Sequence, residues 1–285
     1  MRILVLGVTG MLGSAVYRSF SHDSKYEAWG TMRSAGALQH FAEQSRPRLL
    51  TGVDVLDQDT LVSVLERVRP DVVINCVGLI KQLADAKDPL SALPINAMLP
   101  HRLAKLCGLA GARLIHVSTD CVFSGHKGMY AEHDLSDAED LYGKSKFIGE
   151  LHDMPHAITL RTSIIGHEIG SHFSLVDWFL SQKAPVKGYA KAIFSGLPTV
   201  ELARVMKEYV IPNPELHGLY HVSVEPIDKL SLLRLVAEVY GHQIQITPDE
   251  QVRIDRSLDS SRFRQATGYL PPTWPELIKM MRDQR

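Results

Sequence analysis

Cysteine is scarce in this sequence, and neither sign of charge is in surplus. The 285 residues contain three cysteines, Cys76, Cys107 and Cys121, too few and too scattered for a disulfide framework or a zinc site. Lys and Arg together number 31 and Asp and Glu 32, so no basic excess favours a nucleic acid or an anionic membrane as a partner. At 45% hydrophobic and 22% charged residues, the composition is that of an ordinary globular protein, and we expect a reducing, cytoplasmic location.

Long apolar runs are lacking as well. No stretch of about 18 apolar residues is present that could form a membrane-spanning helix. The opening MRILVLG is too short to be the apolar region of a signal peptide, and Gly7 interrupts it. No repeat, low-complexity segment or linker divides the chain. We therefore expect neither a leader nor a membrane span.

Metal-ligand clusters are also missing, although the chain has 13 histidines. The closest pairs are His152/His156 and His167/His172. Pro155 interrupts the first pair, and neither pair has a carboxylate at ligand spacing. We expect no metal ion in the site.

Glycine, in contrast, is arranged with a clear spacing near the start of the chain. The apolar run Ile3 to Leu6 suits a buried parallel strand, and Gly7, Gly10 and Gly13 follow it at intervals of three. Such a turn leads into a helix whose free N–H groups and positive dipole end can bind a diphosphate. The segment predicts a dinucleotide site, which comprises Gly7, Thr9, Gly10, Met11, Leu12 and Gly13.

Strand and helix signals alternate after this turn. Further strands are predicted at 26–31, 49–53, 71–78 and 113–117, and helices at 57–69, 96–109 and 140–151. This alternation favours an α/β protein with a doubly wound, Rossmann-like parallel sheet. The strand ends should carry further cofactor contacts, at Asp54 and Val55 and at Cys76, Val77 and Gly78.

Acidic residues are absent between Gly30 and Ala42, just after the second strand. At this place an Asp or Glu would bind the 2′-hydroxyl of NAD, whereas an arginine suits the 2′-phosphate of NADP. Arg33 lies there, so the sequence favours NADPH over NADH.

Two polar segments point to chemistry. Ser118, Thr119 and Asp120 follow a predicted strand at the sheet edge where ligands bind in such folds. Downstream, Tyr142 and Lys146 are one helical turn apart on the same face. An ammonium near a phenol lowers the phenol pKa towards working pH, so we expect Tyr142 to be an acid that Lys146 adjusts.

These motifs together resemble an extended short-chain dehydrogenase/reductase. The chain is most similar to the dTDP-4-dehydrorhamnose reductase branch of nucleotide-sugar reductases, and the likeness runs through nearly the whole sequence. It is carried by GVTGMLG (7–13), VSTDCVFSG (117–125), YGKSKFIGE (142–150), LRTSIIG (160–166), GLYHVS (218–223), RSLDSSRF (256–263) and PTWPEL (272–277).

The resemblance implies a function and roles for single residues. It implies NADPH-dependent reduction of the 4-keto group of a nucleotide-linked 4-keto-6-deoxysugar. Tyr142 would be the proton donor, Lys146 would hold the nicotinamide ribose, and Thr119 would bind the reacting oxygen beside Asp120. It also leaves a homodimer open.

The chain departs from the pattern at two positions that face substrate in the family. Cys121 replaces a usual Tyr, and Ile164 replaces a frequent Trp, so we expect an altered sugar pocket, completed by Lys81 from the loop 79–94. Dehydratases place a Glu after the STD Asp, and Cys121 lacks that carboxylate, which favours reduction over dehydration or epimerisation. A non-catalytic regulatory subunit, like the β subunit of methionine adenosyltransferase, remains the alternative from another class.

The second half of the chain is less informative. Helices are predicted at 200–210, 228–240 and 274–281, and strands at 218–222 and 243–247. The resemblance implies a nucleotide-binding domain over residues 1–165 and a smaller substrate lobe over 166–285, with some segments interleaved. Arg253 and Arg256 are candidates for binding the substrate diphosphate, because a guanidinium can bond it with two hydrogen bonds.

Overall fold

The central feature of the computed structural model is a seven-stranded parallel sheet. The structure describes residues 1–80, 87–170 and 174–284. The strand order is β10-β6-β5-β4-β1-β2-β3, so successive strands are added outwards in opposite directions from β1 and β4, as expected for a doubly wound sheet. The predicted fold class is confirmed. The strands are β1 (Arg2–Leu6), β2 (Glu27–Thr31), β3 (Leu49–Leu50), β4 (Val72–Asn75), β5 (Arg113–Thr119), β6 (Ala157–Thr162), β7 (Ile164–Ile165), β8 (Val186–Phe194), β9 (Leu197–Pro198), β10 (Gly218–His221), β11 (Ile227–Asp228) and β12 (Ile246–Asp255).

Helices cover both faces of this sheet, and further helices alternate with strands in the second half of the chain. π-helical turns at Leu93–Met98 and Met206–Val210 adjoin two of them. The α-helices are α1 (Met11–Ser21), α2 (Gln58–Val68), α3 (Pro89–Ala92), α4 (Leu99–Ala110), α5 (Leu141–Ile148), α6 (Leu175–Ser181), α7 (Thr199–Val205), α8 (Lys229–Tyr240), α9 (Ser261–Thr267) and α10 (Trp274–Asp283).

Buried aliphatic side chains form a core on each face of the sheet. Alternate residues of β1 face opposite ways, so Ile3 and Val5 belong to one cluster and Leu4 and Leu6 to the other. A strand buried on both faces reads as a continuous apolar run, which explains why β1 and β4 could be recognised from the sequence.

Three predicted strands are wrong in their bounds. The strand expected over 71–78 ends at Asn75. The third was expected over 49–53, but only Leu49–Leu50 pair with β2. The last was expected over 243–247, whereas β12 begins at Ile246 and runs to Asp255 because it pairs along β8. Together β11, β8 and β12 form a second sheet, in which β8 was not predicted.

The second half of the chain also completes the central sheet. β10 lies at its edge, parallel to β6, with His221 opposite Arg161. The second half of the chain therefore contributes a strand to the sheet that the first half builds.

No helix among the described residues is long and apolar enough to cross a membrane.

Candidate active site

The glycine turn brings the start of α1 close against the end of β1. Gly7 has φ +81°, a left-handed conformation that favours glycine. A Cβ on Gly13 would overlap the carbonyl oxygen of Gly7, so only glycine lets the helix approach this closely. A Cβ on Gly10 would meet nothing nearer than 3.6 Å. The space above Gly10 is thus open at the end of the helix.

The N-terminus of α1 suits a diphosphate. Its first turn contains no acidic residue, and no side chain caps it at Gly10. The first N–H groups of a helix have no partner within the helix, and its dipole favours an anion there. Thr9 is partly exposed and Met11 opens the helix, while the side chain of Leu12 is buried in the core. These residues fit the diphosphate of a dinucleotide.

The other predicted cofactor residues follow strand ends at the same edge of the sheet. Leu6 pairs with Thr31 and with Asn75, so the residues after β2 and β4 lie beside the glycine turn. Arg33 follows β2 and is exposed. Asp54 is exposed and Val55 buried in the turn that follows β3.

Cys76, Val77 and Gly78 form the turn after β4. The Val77 side chain packs closely against Gly7, because a Cβ atom on Gly7 would lie 2.8 Å from Val77 Cγ2. Burial raises the pKa of the Cys76 thiol to about 12, so this group stays protonated and unreactive.

A residue that the sequence analysis missed holds this turn in place. Asn96 is buried in the π-helical turn before α4. Its side chain accepts a hydrogen bond from Leu79 N at 2.9 Å and donates to Leu79 O and Ser145 Oγ, both at 3.2 Å. Asn96 thereby ties the β4 turn to α5. The feature of the sequence that could have identified Asn96 is its amide side chain within an otherwise apolar helical stretch.

The carboxyl end of β5 supplies the polar cluster. Thr119 ends β5, its hydroxyl accepts from Cys121 N at 3.1 Å, and it donates to Asp120 Oδ1 at 3.2 Å. Asp120 is nearly buried, and burial raises the pKa of its carboxyl, a rise that the charges of Arg256 and Lys229 oppose.

Helix α5 packs directly on this cluster. Asp140 caps the helix by accepting from Gly143 N at 2.8 Å, and a Cβ on Gly143 would overlap the carbonyl oxygen of Cys121. The Tyr142 phenol thus lies near the Thr119 hydroxyl, which acts to lower the phenol pKa. The structure therefore brings Tyr142, Thr119 and Asp120 together.

The prediction that the Tyr142 pKa is lowered is wrong for the chain without bound cofactor. Burial raises the pKa of this phenol well above its usual value, and the neighbouring Cys121 and Asp120 add to the rise. The Lys146 ammonium instead donates to Val117 O at 2.8 Å, towards Gly78. Burial lowers the pKa of Lys146 to about 8, against the attraction of Glu150.

A buried ionic network lies behind the cluster. Glu150 accepts from Ser118 Oγ at 2.7 Å and from Arg161 Nε at 2.8 Å. Arg161 Nη1 lies 2.8 Å from His221 Nε2, and His221 Nδ1 lies 3.0 Å from Tyr130 O. Burial and the Arg161 charge hold the pKa of His221 at about 3, so His221 is neutral, accepts from Arg161 and donates to the carbonyl. The network joins β5, α5 and the second half of the chain.

The predicted substrate residues are only partly gathered in one place. Arg256 donates to Phe123 O at 2.7 Å and reaches Cys121 Sγ at 3.8 Å. Arg253 is exposed on β12 opposite Lys191, and Ile164 lies in β7 beside Leu197. Lys81 lies outside the described residues.

His172 likewise lies outside the described residues, whereas His167 is hydrogen-bonded to Asp177 and Tyr240. Within the described ranges, no group of three or more His, Cys, Asp or Glu side chains is placed to hold a metal ion.

Comparisons with known proteins give a matching family and several relatives. A family model described as the RmlD substrate binding domain matches residues 1–284. A dTDP-4-dehydrorhamnose reductase of Aggregatibacter actinomycetemcomitans is 25% identical and covers 99% of this chain and 98% of its own. Methionine adenosyltransferase 2 subunit beta of Danio rerio is 30% identical and covers 84% of this chain and 74% of its own.

A solved structure shares the fold over the full length. It is a dTDP-4-dehydrorhamnose reductase of Bacillus anthracis in complex with NADP, with a TM-score of 0.80 at 21% identity, covering 100% of this chain and 99% of that one.

Proposed function

The chain belongs to the RmlD substrate binding domain family, and from that membership and its site we propose that it is an NADPH-dependent reductase. Its substrate would be the 4-keto group of a nucleotide-linked 4-keto-6-deoxysugar. The observation that carries this proposal is the close packing of α5 on the residues after β5, where a Cβ on Gly143 would overlap the carbonyl oxygen of Cys121 and Tyr142 is the preceding residue of the helix.

The residues present fit a nicotinamide dinucleotide. The open space above Gly10 and the uncapped start of α1 suit its diphosphate. The NADP in the Bacillus anthracis structure is consistent with this fit. Lys146 would hold the nicotinamide ribose. When bound, NADPH supplies the hydride for the carbonyl carbon.

The protein's own part is to bind the carbonyl oxygen and to protonate it. Thr119 would turn its hydroxyl proton from Asp120 to that oxygen, and hydrogen bonds count most where charge develops. The raised pKa of Tyr142 keeps its phenol protonated at neutral pH, so the proton is available to the developing alkoxide.

Dehydration or epimerisation at the same site has less support. Cys121 occupies the position next to Asp120, and burial raises the pKa of its thiol to about 12. A thiol with that pKa remains protonated and is a poor base. The site therefore offers one acid and no second base at this position, which supports simple reduction.

A regulatory role is the second candidate, and the 30% identity to methionine adenosyltransferase 2 subunit beta favours it. In this role the chain would bind the dinucleotide and act through a partner subunit. The grouping of Tyr142 with Thr119 and Asp120 favours the enzyme, because titratable groups with perturbed pKa values cluster at functional sites.

The experiment that separates the two functions follows NADPH absorbance against a panel of nucleotide-linked 4-keto sugars. Reduction of one or more of them is expected. Because of Cys121 and Ile164, we expect the best substrate to differ from the dTDP-rhamnose precursor, and a strong preference for that precursor would contradict the altered pocket. A protein that binds NADPH but reduces no sugar of the panel would favour the regulatory role.

Cofactor choice is predicted to depend on Arg33. Because its guanidinium can form charged hydrogen bonds to the 2′-phosphate, Arg33→Ala should weaken NADPH binding by about 1.5–3 kcal/mol and leave NADH binding unchanged. Calorimetric titration of both cofactors measures this difference.

The control for this measurement is Arg102→Ala, which removes an exposed arginine of α4. Equal affinity of the parent for NADPH and NADH, unaltered by Arg33→Ala, would show that Arg33 does not read the 2′-phosphate.

A further inference from the structure

The buried carboxylate of Glu150 lies one helical turn beyond Lys146, at the C-terminal end of α5. Gly149 N donates to Ser145 O at 3.2 Å, and Glu150 N donates to Phe147 O at 3.1 Å, so the backbone continues its turn past the last residue of the helix. Residues four apart in such a turn are neighbours on one side of it. Lys146 and Glu150 are both buried, and they therefore face the sheet together.

The two side chains bind consecutive residues of β5. The Lys146 ammonium donates to Val117 O at 2.8 Å, and Glu150 Oε1 accepts from Ser118 Oγ at 2.7 Å. The next residue along the strand is Thr119, whose hydroxyl belongs to the polar cluster. Two hydrogen bonds to the residues just before Thr119 fix the end of β5 relative to α5.

Arg161 holds Glu150 in this place from the neighbouring strand. Its Nε and Nη2 atoms donate to the two carboxylate oxygens at 2.8 and 2.5 Å, and both side chains are buried. An arginine that donates two hydrogen bonds to one carboxylate has a fixed geometry. The guanidinium is itself held, because it lies 4.9 Å from the centre of the Phe123 ring and bonds His221. The carboxylate therefore cannot turn away from Ser118 without breaking the ion pair.

The other titratable groups around Lys146 are uncharged at neutral pH. Burial raises the pKa of the Cys76 thiol, in the turn after β4, to about 12. Burial also raises the pKa of the Tyr142 phenol on α5, and it holds the pKa of the His116 imidazole on β5 well below its usual value. Among the described residues, Glu150 is the carboxylate whose charge acts on Lys146. The buried ammonium thus depends on one negative charge.

A buried ammonium is unfavourable unless a negative charge and hydrogen-bond acceptors accompany it. We propose that Glu150 is a positioning residue for Lys146: it fixes the stretch of β5 to which the ammonium bonds, and its charge keeps that ammonium ionised in its buried place. Glu150 is itself buried, so it acts through Lys146. Its importance for cofactor binding rests on the proposed function, in which Lys146 holds the nicotinamide ribose, whereas its effect on the charge of Lys146 does not.

The test separates the charge of Glu150 from its hydrogen bonds. Glu150→Gln keeps the length of the side chain and loses the charge, whereas Glu150→Asp keeps the charge and shortens the side chain. The measurement is an NMR titration of the cofactor-free protein with lysines isotope-labelled at Cε. The signal that is missing from the Lys146→Met protein belongs to Lys146.

Burial lowers the pKa of Lys146 to about 8, so its signal in the parent should have its midpoint there. In Glu150→Gln the midpoint should fall by about one pH unit or more, because loss of a nearby negative charge lowers the pKa of a cation. In Glu150→Asp it should stay within about 0.3 pH units of the parent. An unchanged midpoint in Glu150→Gln, or an equal fall in both variants, would overturn the role of the charge.

Glu201→Gln is the matched control. Glu201 on α7 is also buried, and it accepts from Nε and Nη2 of Arg204 at 2.8 and 2.7 Å. Its loss should leave the Lys146 midpoint unchanged. If Glu150→Gln does not fold because Arg161 is left unpaired, the double variant with Arg161→Gln removes both charges. The midpoint should fall in the double variant too, and a midpoint equal to that of the parent would overturn the inference.

Calorimetric titration with NADPH separates this inference from the proposed function. At about pH 8, Glu150→Gln should bind NADPH about 5-fold more weakly than the parent, which is the ratio of the ionised fractions of Lys146 after a shift of about one pH unit. If Lys146 titrates as expected but the parent does not bind NADPH, the role of Glu150 stands and the proposed function fails. If the parent binds NADPH and reduces a sugar while Glu150→Gln leaves the midpoint unchanged, the proposed function stands and this inference fails.

Discussion

Tyr142→Phe should reduce the turnover of the preferred 4-keto sugar by roughly 10²–10⁴-fold, the usual contribution of a positioned general acid. The substitution keeps the ring that packs between α5 and the end of β5 and removes the proton that the raised pKa preserves. Folding and NADPH binding should therefore survive. Single-turnover kinetics with saturating NADPH measures the loss in the reducing step itself.

Tyr189→Phe is the matched control, because Tyr189 is exposed on β8. A Tyr142→Phe protein that keeps more than about a tenth of the parent rate would remove Tyr142 from the role of proton donor. If the parent itself is inactive and Tyr142→Phe leaves its cellular function intact, the regulatory role replaces the enzyme.

Lys146→Met should impair function and at the same time stabilise the fold. Loss of the ammonium should weaken NADPH binding and lower turnover on the order of 10²–10³-fold, because in the proposed function the side chain would hold the ribose and supply positive charge to the site. Burial has lowered its pKa from 10.5 to about 8, which means that the folded protein binds this proton less well than the unfolded chain does.

The sign of the stability change follows from that pKa shift. The ammonium opposes folding fully below about pH 8, and its cost fades between pH 8 and pH 10.5. Its removal should raise the free energy of unfolding at pH 7 by about 1–3 kcal/mol, after allowance for the lost bond to Val117 O. Urea unfolding of the chain without cofactor at pH 7 and pH 10 measures this gain, which should shrink at the higher pH. Lys144→Met, on the exposed side of α5, should change neither stability nor rate, and a destabilised Lys146→Met protein at pH 7 would contradict the argument.

The sequence predicts well those parts of the fold that local chemistry decides. The glycine turn needs Gly7 in a left-handed conformation and Gly13 without a side chain. Both requirements can be recognised from the spacing of glycines within a few adjacent residues. The buried strands β1 and β4 read as apolar runs because both of their faces are covered.

Features set by distant pairing could not be predicted in this way. The strand β12 extends to Asp255 because it pairs with β8. No pattern in the sequence near β12 predicts this pairing. Asn96 acquires its role from its hydrogen bond to Ser145 of α5, which is far away in sequence. The shift of the Tyr142 pKa was predicted in the wrong direction. Its direction depends on the burial of the phenol and on the hydrogen bond that the Lys146 ammonium donates to Val117 O.

Because β10 is the edge strand of the central sheet and pairs with β6, the sheet can be completed during synthesis only after β10 has been translated. Residues 163–217, 55 in number, separate the end of β6 from the start of β10. At ribosomal rates of about 5–20 residues per second, β6 emerges about 3–11 s before its neighbour exists. Until then the Arg161 guanidinium has Glu150 but not His221 as a partner. The strand β6, which pairs with the strand that ends in the candidate catalytic cluster, therefore cannot reach its final packing until translation has passed His221, so this sheet matures only after most of the chain has been made.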